Sequence, residues 1–368
     1  VPVKNWGASV EEFPDPDPLE YSELMKYRKK RQACYRCAIA CWGTSELEYD
    51  GRKVSAHQPE FQTSAAFGCL TLNNDYPSLI TANEICNRYG LDTISAGACV
   101  AFAIECYQNG LIDKDDTGGI ELDWGDHRSM IAFLEKLARR EAFGDVLAQG
   151  VRRAAEHLGP QAEPFAMHIG GQELPMHDPR HEPGLGLVYK LDATPGRHTQ
   201  ASQFTVPPGF ETDRPAYGAD REKQAGRGRY FKEASLLTHT MNASGMCLFG
   251  FASTHVTFIP DYLSAVRGES FTVEDMLTAG ERIANVRQAF NVREGLNPVT
   301  QPIPSRPFGN PPLEAGATKG IRVDIDQMTG EYLEDMGWTP DAAVPTRDVL
   351  ERLGLSDIAA DLWGRIDD

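Results

Sequence analysis

Three cysteines lie within eight residues, Cys34, Cys37 and Cys41 in CYRCAIAC, and a fourth, Cys247, stands alone far downstream in MNASGMCLFG. Thiolates two and three residues apart can reach three corners of one cubane from a single loop, and a distant fourth closes it only if the fold joins remote segments. The pattern points to an iron–sulfur site. Zinc is the rival metal, but structural zinc sites pair two short knuckles and Cys247 has no companion. Buried thiols are a third reading, because unpaired cysteine is among the most buried residue types; three in eight residues weigh against it.

The other cysteines, Cys69, Cys86, Cys99 and Cys106, show no such spacing. Cys99 and Cys106 fall two turns apart on one face of an apolar helix and read as packing residues. Cys69 also reads as packing, with soft metal ligation as its alternative.

At 368 residues and 41% hydrophobic content the chain can build an ordinary packed core in one large domain or two. Its net charge of -17 is spread along the sequence, which disfavours nucleic acid and anionic membranes as partners. No apolar run reaches the length of a membrane span, and VPVKNWGASV has neither a basic head nor a hydrophobic stretch of signal type. The cysteine usage fits a reducing compartment, so a cytoplasmic location is expected.

Residues 1–33, with FPDPDP, read as a surface arm leading to a short helix around Tyr21–Gln32. A helix is expected from Ser78 to Arg88, stopped by Gly90, and an apolar buried one from Asp92 to Gln108. Asp126 caps a helix with Met130, Phe133, Leu134 and Leu137 on one stripe, and Gly144–Asp145 restarts another through Val151 and Ala154. From Pro164 to Phe271 periodicity is poor and Gly, Pro and His are frequent, in GGQELPMHDPRHEPGLGL, DATPGRHTQ and TVPPGF; such long irregular stretches are usually functional. Thr272 and Asp275 form a capping box before a helix reaching Phe290, and a last capped helix runs from Thr346 to Leu353. Few strands are evident, so the chain reads as mainly α.

The cluster loop CYRCAIAC, the run ANEICNRYGLDTISAG, HDPRHEPGLGLVY, the NASGMC turn, GERIANVRQAFNVREG and the ending GWTPDAAVPTRDVLERLG together resemble the C-terminal two domains of the aldehyde ferredoxin oxidoreductase family, in order and spacing from Val1 to about Leu355. The resemblance implies a tungsten (or molybdenum) bis-pterin cofactor and a [4Fe-4S] cluster. It also implies oxidation of an aldehyde or related carbonyl to a carboxylic acid, with electrons passed to ferredoxin or another electron-transfer subunit.

By the same resemblance Cys34, Cys37, Cys41 and Cys247 are the cluster ligands. The pterin-type stretches are Asn87-Arg88-Tyr89-Gly90-Leu91-Asp92 and Asn242-Ala243-Ser244-Gly245-Met246-Cys247, where the family's leading Asp is Asn in both. Asn87, Gly90, Leu91, Asp92, Asn242 and Gly245 are therefore expected at the cofactor, Asn both donating and accepting hydrogen bonds where Asp only accepts. Simple helix capping is the bland role for both glycines. Glu60 in HQPEFQT and His198 in DATPGRHTQ occupy the positions of the family's acid and imidazole beside the metal. From the residues alone, Glu60 is a loop acid and His198 a structural polar residue. Arg180, with His177 and His181, is a further candidate near an anionic cofactor, against surface-loop polarity.

The expected architecture is two intertwined helical domains, residues 34–160 with the cluster loop and first pterin-type stretch, and 161–368 with the irregular segments and the fourth cysteine, after the 1–33 arm. Cofactor and cluster are expected near their junction, in an oligomer. The family's N-terminal β-rich cofactor domain is not seen before Val1, so a separate partner carrying it is one expectation. Three alternatives remain: a non-catalytic iron–sulfur electron-transfer subunit, a benzoyl-CoA reductase-like reductase, and a helical module with structural zinc.

Overall fold

The computed structural model describes residues 1–200, 206–211 and 218–367. In chain order its elements are α1 (Tyr21–Tyr27), β1 (Arg28–Gln32), β2 (Trp42–Tyr49), β3 (Arg52–His57), α2 (Phe61–Phe67), α3 (Tyr76–Tyr89), α4 (Thr93–Gln108), α5 (His127–Arg139), α6 (Phe143–Leu147) and α7 (Val151–Leu158). There follow β4 (His168–Ile169), β5 (Gln172–Glu173), α8 (Pro183–Leu191), α9 (Arg227–Ser244), α10 (Leu248–Ala252), α11 (Phe258–Arg267), α12 (Val273–Arg293), α13 (Ile325–Met336), α14 (Arg347–Arg352) and α15 (Ser356–Asp367). Helices dominate, as expected. Two units divide the chain: Val1–Asp178 with Pro304–Ile321, and Pro179–Ile303 with Arg322–Asp368.

In the first unit α4 is apolar on every side, and α2, α3, α5 and α7 pack around it. Phe67, Leu79, Ile80, Phe102, Phe133 and Leu134 fill this core without exposed surface. The helix starts are set by short acids. Asp75 accepts from the Ser78 amide, Asp92 from Ser95, and Asp126 from Arg128 and Ser129, each satisfying an otherwise orphaned first-turn donor.

The N-terminal segment is not a surface arm throughout. Val3, Trp6, Ala8 and Phe13 are buried, and the Lys4 and Asn5 amides donate to the Cys69 and Leu70 carbonyls. Apolar residues between the charges anchor it. The expected helix to Gln32 stops at Tyr27, because the cationic run that follows has no apolar stripe to bury and pairs with β2 instead. Strands are few, as expected: β1, β2 and β3 form an antiparallel sheet in that order, and β4 pairs with β5. The β2–β3 hairpin turns on Asp50-Gly51, both at positive φ (46° and 73°), the two-residue turn whose twist matches the strands.

The single helix expected from Gly144 is two helices. It breaks before α7, where the buried carboxylate of Glu173 accepts from the Val151 amide (2.8 Å) and from Ser95 Oγ (2.7 Å). A negative charge is favoured at that helix N-terminus.

The second unit is built on α9, against which α8, α12 and α13 pack. Its buried residues include Phe231, Leu237, Ser235, Thr238, His239 and Thr240. Because polar and apolar side chains are both interior, no stripe marks this helix in the sequence, and part of the stretch expected to be irregular is helical. The portions at 201–205 and 212–217 lie outside the described residues. Thr272 and Asp275 form the expected capping box, Thr346 precedes α14, and one more helix, α15, follows. Among the described residues no helix is long and apolar enough to cross a membrane.

Candidate cofactor and active-site residues

The hairpin of the first unit places the three-cysteine loop. Residues 33–41 connect β1 to β2, and the Arg31 guanidinium closes their base by donating to the carbonyls of Ile39 (2.7 Å) and Ala40 (2.9 Å). A tight turn, with the Cys37 amide donating to the Cys34 carbonyl (3.0 Å) and Arg36 at positive φ, spaces the first two thiols. Cys34 and Cys41 are exposed and Cys37 is half-buried.

The remaining first-unit cysteines behave oppositely. Burial pushes the Cys86 and Cys106 thiols up to about 12 and Cys69 to about 11, and raises Cys99 as well. These thiols stay protonated and suit packing rather than metal binding.

The same end of the sheet carries Glu60. The last β2–β3 pair is Thr44 with His57, the Gln58 amide donates to the Gly43 carbonyl (2.8 Å), and Trp42 stacks on His57 at 5.0 Å. The chain leaving β3 therefore runs beside the chain arriving from Cys41. Glu60 then stands exposed at the N-cap of α2, its carboxylate making no capping bond. Phe61 beside it is 49% exposed and stacks on His177 at 5.0 Å, while Gln62 accepts from the Met176 amide (2.6 Å).

The two pterin-type stretches adopt the same corner. At Asn87–Asp92, α3 ends on Gly90 (φ 73°) and Asp92 is the N-cap of α4; at Asn242–Cys247, α9 ends on Gly245 (φ 75°) and Cys247 is the N-cap of α10. Left-handed glycine is needed to turn each corner. Both glycines face open space where a side chain would stand, and Asn87 and Asn242 are exposed. Leu91 is half-buried, and Asp92 is exposed while capping Ser95. Each unit thus presents one corner at which a ligand can approach main chain closely. Cys247, at the second corner, is exposed.

The His198 segment belongs to the second unit and is clamped from α12. Arg287 makes a bidentate pair with the buried Asp192 carboxylate (3.0 and 3.1 Å) and donates to Thr194 Oγ1 (2.7 Å), and Asn291 Nδ2 donates to the Ala193 carbonyl (2.7 Å). Asn242 Nδ2 donates to the Thr199 carbonyl (3.2 Å), so this segment and the Gly245 corner are neighbours. Burial first, and Arg197 second, lower His198 to about 4; burial and Arg287, opposed by Asp192, do the same for His239. Both imidazoles are neutral near pH 7.

That shift has a stability consequence. A histidine at about 4 when folded and near 6.5 when unfolded gives the unfolded chain more bound protons between those values, so stability is full above about 6.5 and falls as pH drops toward 4. The expected loss for buried His239 is at most about 3 kcal/mol, at about 1.4 kcal/mol per unit. Denaturation midpoints at pH 7 and pH 4.5 should draw together in His239→Gln; an equal drop in both proteins would remove His239 as the cause.

Arg180 is buried at 1% exposure and His181 is half-buried against the Gly218 backbone. Cys34, Cys37 and Cys41 are in the first unit and Cys247 is in the second. Among the described residues, no three His, Cys, Asp or Glu side chains are gathered as a metal-holding group. The positioning residues Asp192, Arg287, Asn291 and Trp42 went unnoticed in the sequence. The Asp-Gly turn before β3 was the available signal for the last of these.

The family model for aldehyde ferredoxin oxidoreductase, domains 2 & 3, matches residues 1–355. The tungsten-containing aldehyde ferredoxin oxidoreductase of Pyrococcus furiosus is 32% identical over 362 residues, 97% of this chain and 57% of that protein. That of Thermococcus kodakarensis is 33% identical over 336 residues, 90% of this chain and 54% of that protein. A Pyrococcus furiosus aliphatic sulfonate oxidoreductase, WOR-like subunit, is 27% identical over 378 residues, 97% of this chain and 55% of that protein. The chain thus spans little more than half the length of these relatives. Among solved structures, a chain of the active-site complex BamBC of benzoyl coenzyme A reductase superposes with a TM-score of 0.76 at 20% identity, over 99% of this chain and 59% of that one, a likeness of fold. From sequence and fold together, this chain belongs to the aldehyde ferredoxin oxidoreductase family, of which it carries the helical domains 2 and 3.

Proposed function

We propose that this chain forms part of a tungsten (or molybdenum) pterin oxidoreductase that converts an aldehyde or related carbonyl to a carboxylic acid. The supporting observation is the division among its cysteines: Cys34, Cys41 and Cys247 are exposed, whereas cysteine is ordinarily among the most buried residue types, as Cys86, Cys99 and Cys106 are. Cys34, Cys37, Cys41 and Cys247 would hold the [4Fe-4S] cluster. The corners at Gly90 and Gly245, with Asn87, Leu91, Asp92 and Asn242, would take the two pterins, and the buried Arg180 cation would offset their negative charge. When bound, the metal–pterin group supplies oxygen transfer to the carbonyl carbon and accepts the electrons released.

The protein's own groups have complementary tasks. Glu60, whose carboxylate makes no capping bond at its N-cap, can take a proton as water adds to the carbonyl carbon. Neutral His198 can donate a hydrogen bond to the carbonyl oxygen and stabilise the charge that develops there. In balance, aldehyde and water give acid, two protons and two electrons, and two one-electron carriers of ferredoxin type remove the electrons in turn.

A metal count on protein prepared without oxygen tests the proposal: about four irons and one tungsten or molybdenum per chain support it, and iron alone would place the carbonyl chemistry elsewhere. Glu60→Gln should keep all metals and lower kcat by about 100-fold or more, the usual contribution of a positioned proton acceptor. Wild-type turnover in that variant would remove Glu60 from the reaction.

A further inference from the structure

The whole chain carries 53 acidic and 36 basic residues, yet no Asp or Glu occurs between Glu23 and Glu46. That stretch holds Arg28, Lys29, Lys30 and Arg31 on β1 and Arg36 in the cysteine loop. Lys29, Lys30, Arg31 and Arg36 are exposed, and none of them forms an ion pair with a carboxylate among the described residues. β1 is an edge strand, paired on one side with β2 and irregular between Arg28 and Lys30. Lysine and a bulge on an edge strand blunt strand-to-strand aggregation, which accounts for Lys29 and Lys30 on β1 but not for Tyr35 and Arg36 at the loop tip. Those two need another reason. At the loop tip Tyr35 is 88% exposed, with the Arg36 guanidinium over its ring at 5.2 Å. Tyrosine and arginine are the side chains that most often anchor protein interfaces. Lys30 is four residues from Cys34, at most about 14 Å at full chain extension.

We propose that Lys29, Lys30, Arg31, Tyr35 and Arg36 form the docking surface for an acidic one-electron carrier protein, which accepts electrons at the Cys34–Cys41 loop. The proposal rests on the oxidoreductase reading for its purpose and on charge complementarity for its partner. Opposite charge steers the carrier to the loop, and the uncovered aromatic and guanidinium supply short-range contact. Each docking removes one electron, so two carrier molecules are reduced per carbonyl oxidised. A compact acidic carrier meets only this cationic stretch, whereas duplex nucleic acid and anionic membranes would also meet the acidic remainder of the chain.

The test measures binding of an acidic ferredoxin to the intact, metal-loaded protein at low and moderate salt. Lys29→Glu/Lys30→Glu should weaken binding at least about 10-fold and flatten its salt dependence, Tyr35→Ala should weaken it at every salt concentration, and Lys29→Arg/Lys30→Arg should retain it. Lys114→Glu/Lys319→Glu, which changes net charge equally at exposed sites elsewhere, should bind as wild type. Equal weakening in both charge-reversed proteins, no weakening in either, or tighter binding of wild type to phosphatidylserine vesicles or duplex DNA than to ferredoxin would overturn the docking surface. Aldehyde oxidation with a small dye acceptor reads the enzyme proposal separately: its absence would defeat that proposal while the ferredoxin affinities still decide this one.

Discussion

Arg227→Met is expected to destabilise the protein by roughly 3–5 kcal/mol, the cost of stranding one member of a buried ion pair. Arg227 Nη1 lies 2.6 Å from Glu182 Oε1, and the two side chains are 3% and 2% exposed. The guanidinium also donates to the carbonyls of Ala219, Asp220 and Lys223, and Glu182 Oε2 accepts from the Gly218 amide. Removing the cation leaves buried Glu182 without its main partner and frees three main-chain acceptors at once. By contrast, the exposed Lys26–Glu23 pair at a similar 2.6 Å should contribute well under about 1 kcal/mol. Arg227→Met/Glu182→Leu should recover part of the loss, because a buried pair exchanged for apolar residues leaves no stranded charge. Urea titrations followed by circular dichroism give the comparison. A single-variant loss below about 1 kcal/mol would show that water reaches the pair.

Cys247→Ala should reduce bound iron from about four atoms per chain to a small residue while leaving the fold intact. The two effects separate because Cys247 is exposed, and its side chain makes no capping bond to α10. Cys99→Ala should do the reverse: this thiol is buried and donates to the Leu147 carbonyl at 3.5 Å, so its loss costs packing and leaves iron unchanged. Iron and zinc by plasma mass spectrometry, the visible spectrum and the denaturation midpoint distinguish the outcomes. Full iron in Cys247→Ala would remove it from the ligand set. Zinc in a colourless protein would make the cysteines a structural zinc site.

Legibility in the sequence followed the physical origin of each signal. Asp126, Thr272 and Gly90 mark helix ends through local hydrogen bonds or a required backbone conformation, so their roles are readable without the rest of the fold. α4 was readable because sixteen residues from Thr93 to Gln108 are nearly all small or apolar. α9 was not, since His239, Thr238 and Ser235 are buried by tertiary packing that leaves no periodic trace. The β2–β3 hairpin has a local signal in Asp50-Gly51, which went unread. Among candidate site residues, the cysteine spacing stands out by itself. Glu60 and His198 gain distinction from family position, and the Arg287–Asp192 clamp joins residues 95 apart, which no local pattern announces.

The return of Pro304–Ile321 to the first unit makes that unit's assembly late in synthesis. Arg306 from this stretch makes a bidentate pair with Glu105 (2.7 and 2.9 Å) and donates to the Asn5 carbonyl (3.1 Å). A ribosome must therefore release more than three hundred residues before the N-terminal segment acquires its last neighbour, and the buried Trp6 region waits meanwhile with incomplete cover. Such long-range closure slows folding and exposes nascent chains to aggregation. Expression as two pieces cut near Asp178 would deprive the first piece of this closing segment and of the Arg306–Glu105 pair.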